Sequence, residues 1–181
     1  MADITIENII VYTQIADSLD IKRIAEKLPA FKYSPNEFNG LTLKLDNPNA
    51  AVLLLSDGKA ICTGAKKIED AEDAIKKSID KLTEAGIQIS KDFEIKTQNI
   101  IASMDLKKEL ELELLSEELS SEDIDYDPEK FPGLIYKMKD IDASLIVFSS
   151  GKIVCTGTKK IEDATNAIEM MKEKISSLGV L

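Results

Sequence analysis

The chain has 181 residues, 44 % of them apolar, enough to build a packed core in one or two domains. It shows no uninterrupted apolar stretch of about 18 residues and no charged-then-apolar leader after Met1, which argues against a membrane span, a membrane partner or secretion and predicts an intracellular, cytoplasmic protein. The 33 acids against 23 bases give a formal charge of −10, which speaks against nucleic acid unless charge is segregated along the chain; without His or a CxxC spacing no metal site and no cofactor are expected.

Ile4 to Thr13 is a β-branched run that predicts a strand, and Asp17-Ser18 before Leu19 predicts the cap of a helix carrying Leu19, Ile21, Ile24 and Leu28 and ended by Pro29. Phe31 to Glu37 contains a Ser-Pro-Asn turn. Leu41 to Leu45 and Ala51 to Leu55 read as strands around the Asp46-Asn47-Pro48-Asn49 turn, and Ala60 to Thr63 reads as another. Ile68, Ala71, Ile75, Ile79 and Leu82 then mark a long amphipathic helix closed by Gly86. After a link at Gln88 to Asp92 the same order recurs, ending in a helix through Ile161, Ala164, Ile168, Met171, Ile175 and Leu178 with Gly179 at its end. Glu109 to Leu114 alternates like a strand, but its counterpart at Asp17 to Lys27 has helical caps and spacing, so a helix is predicted there too.

The recurrence is a duplication. Leu55-Ser56-Asp57-Gly58-Lys59-Ala60-Ile61-Cys62-Thr63-Gly64-Ala65-Lys66-Lys67-Ile68-Glu69-Asp70-Ala71 matches the stretch from Phe148-Ser149-Ser150-Gly151-Lys152 through Cys155-Thr156-Gly157 to Ile161-Glu162-Asp163-Ala164. Asn8-Ile9-Ile10 answers to Asn99-Ile100-Ile101, and Tyr33-Ser34-Pro35 with Phe38 to Tyr126-Asp127-Pro128 with Phe131, so two repeats are expected, 1–90 and 91–181. Cys62 and Cys155 occupy equivalent positions and read as small buried core residues rather than a disulfide.

Two long helices can cover only one face of so wide a sheet, yet the strands carry apolar residues on both parities: Leu54 but also Leu53 and Leu55, Leu134 and Tyr136 but also Phe131 and Ile135. An exposed apolar sheet face marks a binding surface or an oligomer interface. Acids concentrate in the helices and loops (Glu69 to Glu84, Glu109 to Asp127), whereas Lys44, Lys59, Lys137 and Lys152 sit on or beside strands, so the helix-free side can be neutral or basic.

An Asn-Ile-Ile strand start, a Tyr-x-Pro-x-x-Phe-x-Gly loop, a Ser/Asp-Gly-Lys turn and Cys-Thr-Gly-x-Lys, each present twice, resemble the conserved core of the TATA-box-binding proteins, general transcription factors of archaea and eukaryotes. Phe131-Pro132-Gly133-Leu134-Ile135-Tyr136-Lys137-Met138 is the most specific stretch, and the lack of an N-terminal extension is closer to the archaeal form. The resemblance implies an α+β fold: a pseudo-twofold saddle of two tandem repeats forming one curved ten-stranded antiparallel sheet, with helices on the convex face and DNA on the concave face. It implies no enzyme but a transcription initiation factor that binds the minor groove of A·T-rich promoter DNA, kinks it with apolar wedges by about 80°, and recruits transcription factor B and, indirectly, RNA polymerase. A nucleoid-associated cytoplasmic location follows from that role, as does a homodimer through the concave face when DNA is absent.

Carried over residue by residue, the resemblance places Asn8 and Asn99 as amide donors to base acceptors, with Thr63 and Thr156 beside them. Ile10, Leu53, Ile61, Ile101, Ile146 and Val154 become the apolar contacts, and Lys44, Lys59, Lys137 and Lys152 the phosphate contacts. The wedges are a stacked pair, Phe131 and Phe148, in the second copy and Phe38 with Leu55 in the first, where a second Phe is customary. Asp57, Glu37 and Asn39-Gly40 are further departures in the first copy. The loop receiving transcription factor B maps to Asp127, Glu129 and Lys130, the last replacing a customary apolar residue.

Two other classes stay open on the residues alone. Thr-Gly-x-Lys-Lys ahead of a helix resembles a phosphate nest, which an enzyme would use with an acid-bound magnesium. A paralogue of the same fold would instead offer its apolar face to a protein, with weak or no DNA binding.

Overall fold

Alternation of burial along most of the strands sets the architecture. The computed structural model describes residues 3–90 and 92–180; Met1, Ala2, Leu181 and Lys91, the last within the predicted link, lie outside the described residues. Among the described residues ten strands form one open antiparallel sheet. In chain order they are β1 (Thr5–Gln14), β2 (Phe31–Tyr33), β3 (Leu41–Asp46), β4 (Asn49–Leu54), β5 (Lys59–Ala65), β6 (Lys96–Asp105), β7 (Ile124–Asp125), β8 (Gly133–Lys137), β9 (Ser144–Phe148) and β10 (Lys152–Thr158). Their order across the sheet is β2-β3-β4-β5-β1-β6-β10-β9-β8-β7. The helices are α1 (Ile21–Lys27), α2 (Ile68–Glu84), α3 (Leu112–Glu118) and α4 (Ile161–Ser177), and no helix among the described residues is long and apolar enough to cross a membrane.

The chain divides into two compact units, Asn8–Gln98 and Asn99–Leu181 with Met1–Glu7. In the first unit α2 lies against β4 and β5, burying Ala71, Ala74, Ile75, Ile79 and Leu82 over Val52, Leu54, Ala60 and Cys62. In the second, α4 does the same over β9 and β10 with Ala164, Ala167, Ile168, Met171 and Ile175 facing Leu145, Val147, Ile153 and Cys155. Each fully buried Leu, Ile or Met in these layers contributes about 1.5–3 kcal/mol. Both cysteines are buried free thiols, and desolvation pushes each up to about 11. Glu69 and Asp70, and Glu162 and Asp163, sit in the first turns of the two long helices, where the helix dipole favours them. The last turn of α4 is pinned to the sheet by Glu122, which accepts from Lys174 Nζ at 2.5 Å and from the Tyr136 hydroxyl; Lys174 first, then Tyr136, holds that carboxyl below its usual range.

The short helices depart from the sequence expectation in the same way in both copies. α1 is capped not by Asp17-Ser18 but by Asp20, whose Oδ1 accepts from Arg23 N at 3.1 Å. Leu19 N already donates to Ser56 O at 2.9 Å and Asp20 is extended, so the helix starts at Ile21. Leu110 N likewise donates to Ser149 O at 2.8 Å, and the helix predicted from Glu109 begins only at Leu112. These docked segments explain the Ser/Asp-Gly turns. Gly58 (φ +81°) and Gly151 (φ +84°) are left-handed, and a Cβ there would sit 1.8 Å from Ala16 O and 2.1 Å from Lys108 O. β2 and β7, at the sheet's two ends, are not apparent in the sequence pattern: three and two residues are too few to show a period.

Candidate nucleic-acid interface

The strand residues that point away from α2 and α4 form the candidate site. In the first unit Asn8, Ile10, Leu53, Leu55, Ile61 and Thr63 are all half-buried, whereas their sequence neighbours Ile9, Val11, Val52, Leu54, Ala60 and Cys62 are buried. The second unit repeats this with Asn99, Ile101, Ile146, Phe148, Val154 and Thr156. Cross-strand register joins them into rows: Thr42, Leu53, Ile61 and Tyr12 lie side by side, as do Ile135, Ile146, Val154 and Ser103. These rows are apolar in the middle, with no helix over them.

Lys44 shares its strand parity with Thr42 and Lys59 with Ile61, so both belong to the helix-free face of the first unit; Lys137 shares it with Ile135 and Lys152 with Val154, on the helix-free face of the second. Lys59 Nζ lies 5.9 Å from the Tyr12 ring centroid. Lys152 is shared: Glu7 Oε1 stands 3.9 Å from its Nζ and accepts from Ser103 Oγ at 2.6 Å. Tyr12, Ser103 and Glu7 were not singled out by sequence reasoning, although Tyr12 stands two residues from Ile10 on one strand, a spacing that marks a shared face.

Phe38 and Phe131 each precede a strand and are set by the same turn, Phe38 N donating to Ser34 O at 2.9 Å and Phe131 N to Asp127 O at 3.0 Å. Phe131 is 39 % exposed, and its ring centroid lies 6.1 Å from that of Phe148. The rings are tilted by 60° rather than stacked, an edge-to-face preference of the ring quadrupoles. Gly133 makes room for them: a Cβ there would lie 2.9 Å from Phe131 Cε1 and 3.2 Å from Phe148 Cε1. In the first unit Phe38 has Gly40 in the corresponding place, 2.4 Å from a built Cβ, and Leu55 is the half-buried residue that follows β4. Asp127 organises its loop, with Oδ1 accepting from Glu129 N at 3.2 Å and Oδ2 2.6 Å from Lys130 Nζ.

The paired amides are held rigidly. Asn8 Nδ2 donates to Thr63 Oγ1 at 3.0 Å while its Oδ1 accepts from Gly64 N at 2.7 Å; Asn99 repeats this with Thr156 Oγ1 at 3.0 Å and Gly157 N at 2.8 Å. Those glycine N–H groups are thereby occupied and are not free to face a phosphate at Thr-Gly-x-Lys-Lys.

An open duplicated sheet with an apolar helix-free face, paired amide donors and lysines of one parity defines a binding protein built from two repeats. The family model described as transcription factor TFIID (or TATA-binding protein, TBP) matches residues 3–85 and 94–178. The chain is 40 % identical over 178 residues to the TATA-box-binding protein of Archaeoglobus fulgidus, covering 98 % of this chain and 97 % of that one. It is 43 % identical over 178 residues to that of Thermoplasma volcanium, with the same coverage. The solved structure of Methanococcus jannaschii TBP superposes with a TM-score of 0.81 at 41 % identity, covering 97 % of this chain and 99 % of that one. The chain therefore belongs to the TATA-box-binding protein family, transcription factors that are not enzymes.

Proposed function

We propose that the helix-free face binds the minor groove of TATA-box promoter DNA, kinks it with Phe131, Phe148, Phe38 and Leu55, and brings in transcription factor B and, through it, RNA polymerase. The repeats 1–90 and 91–181 each supply one half of this surface, which also pairs two copies when no duplex covers it. The carrying observation is the coincidence, on one face, of half-buried apolar rows, the Asn8–Thr63 and Asn99–Thr156 donors and the four lysines. A minor groove of A·T pairs offers only acceptors, so donors set among apolar side chains match it. Lysines at phosphates supply attraction that the net charge of −10 does not. Gel-shift titration of an A·T-rich duplex over a salt series tests this; equal affinity for a G·C-rich duplex would refute it.

Glu7 competes with phosphate for Lys152. Glu7→Gln should raise affinity a few-fold at low salt and steepen the slope of log K against log salt by up to about 0.9, one released counterion. An unchanged slope would show that Glu7 does not compete with phosphate for Lys152.

Asp127 and Glu129 lie on the loop before Phe131 and carry the wrong charge for DNA, so they are assigned to a basic patch on transcription factor B. Changing both to Lys should leave binary DNA binding intact and lower the yield of the ternary complex by at least about tenfold, consistent with losing two charged contacts. Undiminished ternary complex would contradict the assignment.

A further inference from the structure

We infer that Gly64 and Gly157 are positioning residues that fix the polarity of the two reading amides and so determine discrimination against G·C pairs; this rests on the minor-groove reading above. An Asn side chain can present either its oxygen or its nitrogen, and the two ends are nearly the same shape. A backbone N–H can only donate. The atom that Gly64 N meets at 2.7 Å, and Gly157 N at 2.8 Å, must therefore be the oxygen, which turns each NH2 toward threonine and the open face. The Thr156 hydroxyl also lies 3.4 Å from Asn99 Oδ1, but its contact with Nδ2 at 3.0 Å is shorter and leaves the same orientation.

The device is a β-bulge. Ile9 pairs with Ala65 and Val11 with Cys62, so Thr63 and Gly64 together stand opposite Ile10; Ile100 pairs with Thr158 and Ala102 with Cys155, so Thr156 and Gly157 stand opposite Ile101. The extra residue turns its N–H out of the ladder and onto the Asn. Gly64 at φ +94° and Gly157 at φ +97° can hold that turn, whereas an L side chain is strained there. Space is not the constraint, since a Cβ would come no nearer than 3.6 Å and 3.5 Å to any neighbour. With its oxygen taken, each Asn offers the groove a hydrogen and no acceptor. Guanine places an amino donor in the minor groove, and donor would face donor.

The test compares G·C with inosine·C, which differ in the minor groove only by that amino group, scanned through each position of an A·T-rich site. Wild type should prefer inosine·C over G·C by about tenfold or more at the positions that face Asn8 and Asn99. In Gly64→Ala, with folding checked by circular dichroism, the strained residue leaves φ +94° and carries its N–H off Asn8 Oδ1, so Asn8 can turn over and the preference at its position should fall to threefold or less, while the Asn99 position keeps its ratio. Should Gly64→Ala not fold, Asn8→Asp keeps the glycine contact and points an oxygen outward; its inosine-over-G·C preference should vanish or invert, whatever happens to overall affinity. A uniform loss of affinity with the ratio retained in these variants would overturn the inference. Failure of wild type to bind any of the duplexes would instead overturn the minor-groove reading beneath it.

Discussion

Phe148→Ala should weaken binding to an A·T-rich duplex by about 5- to 150-fold, the 1–3 kcal/mol range of an aromatic contact with bases, while the melting temperature moves by no more than about 2 °C. The ring is half-buried on the helix-free face, and its ring partner Phe131 is itself exposed, so its removal opens no closed cavity. What it removes is the ring edge proposed to enter between base steps beside Phe131. Titration of a fluorescent duplex, paired with a thermal melt of the free protein, decides the matter. A large fall in melting temperature would mean that Phe148 belongs to the core and that the assigned wedge is wrong.

Three residues earlier on the same strand the opposite outcome is expected. Leu145 is 0 % exposed, paired across the sheet with Tyr136 and Cys155 and turned toward α4. Leu145→Ala should cost about 2–5 kcal/mol, transfer of the lost carbons plus the cavity left behind. At roughly 2–4 °C per kcal/mol for a chain of this size, the melting temperature should drop by about 4–20 °C. Duplex affinity measured well below that temperature should stay within about twofold, because nothing on the reading face has changed. Comparable loss of affinity at a temperature where the variant is fully folded would show that the two faces are coupled.

The sequence is legible here because it is written twice. Glu109 to Leu114 alone reads as a strand; comparison with Asp17 to Lys27 recovers a helix, though one that starts at Leu112. Its true start depends on Leu110 N reaching Ser149 O, a contact between segments far apart in the chain, which no local pattern encodes. The apolar face was legible from residues of the wrong parity, Leu53 and Leu55 beside Leu54, and the structure finds the former half-buried and the latter buried. Ser103 and Glu7 were not, since their place beside Lys152 follows from strand pairing rather than spacing, whereas Tyr12 shares the parity of Ile10 and only its approach to Lys59 depends on the pairing of β1 with β5. The glycines at 64 and 157 were visible as a repeated motif, but only the bulge shows which group each one directs.

The two outermost strands, β2 with three residues and β7 with two, have a bearing on solubility. A protein that must leave one apolar face uncovered runs a standing hazard of aggregation, and a long unpaired strand edge would compound it by templating the addition of further chains. Here the ladder ends almost as soon as it begins. Sheet extension from molecule to molecule has only a residue or two of unpaired backbone to grip, so association is steered away from fibres and toward whatever fits the face.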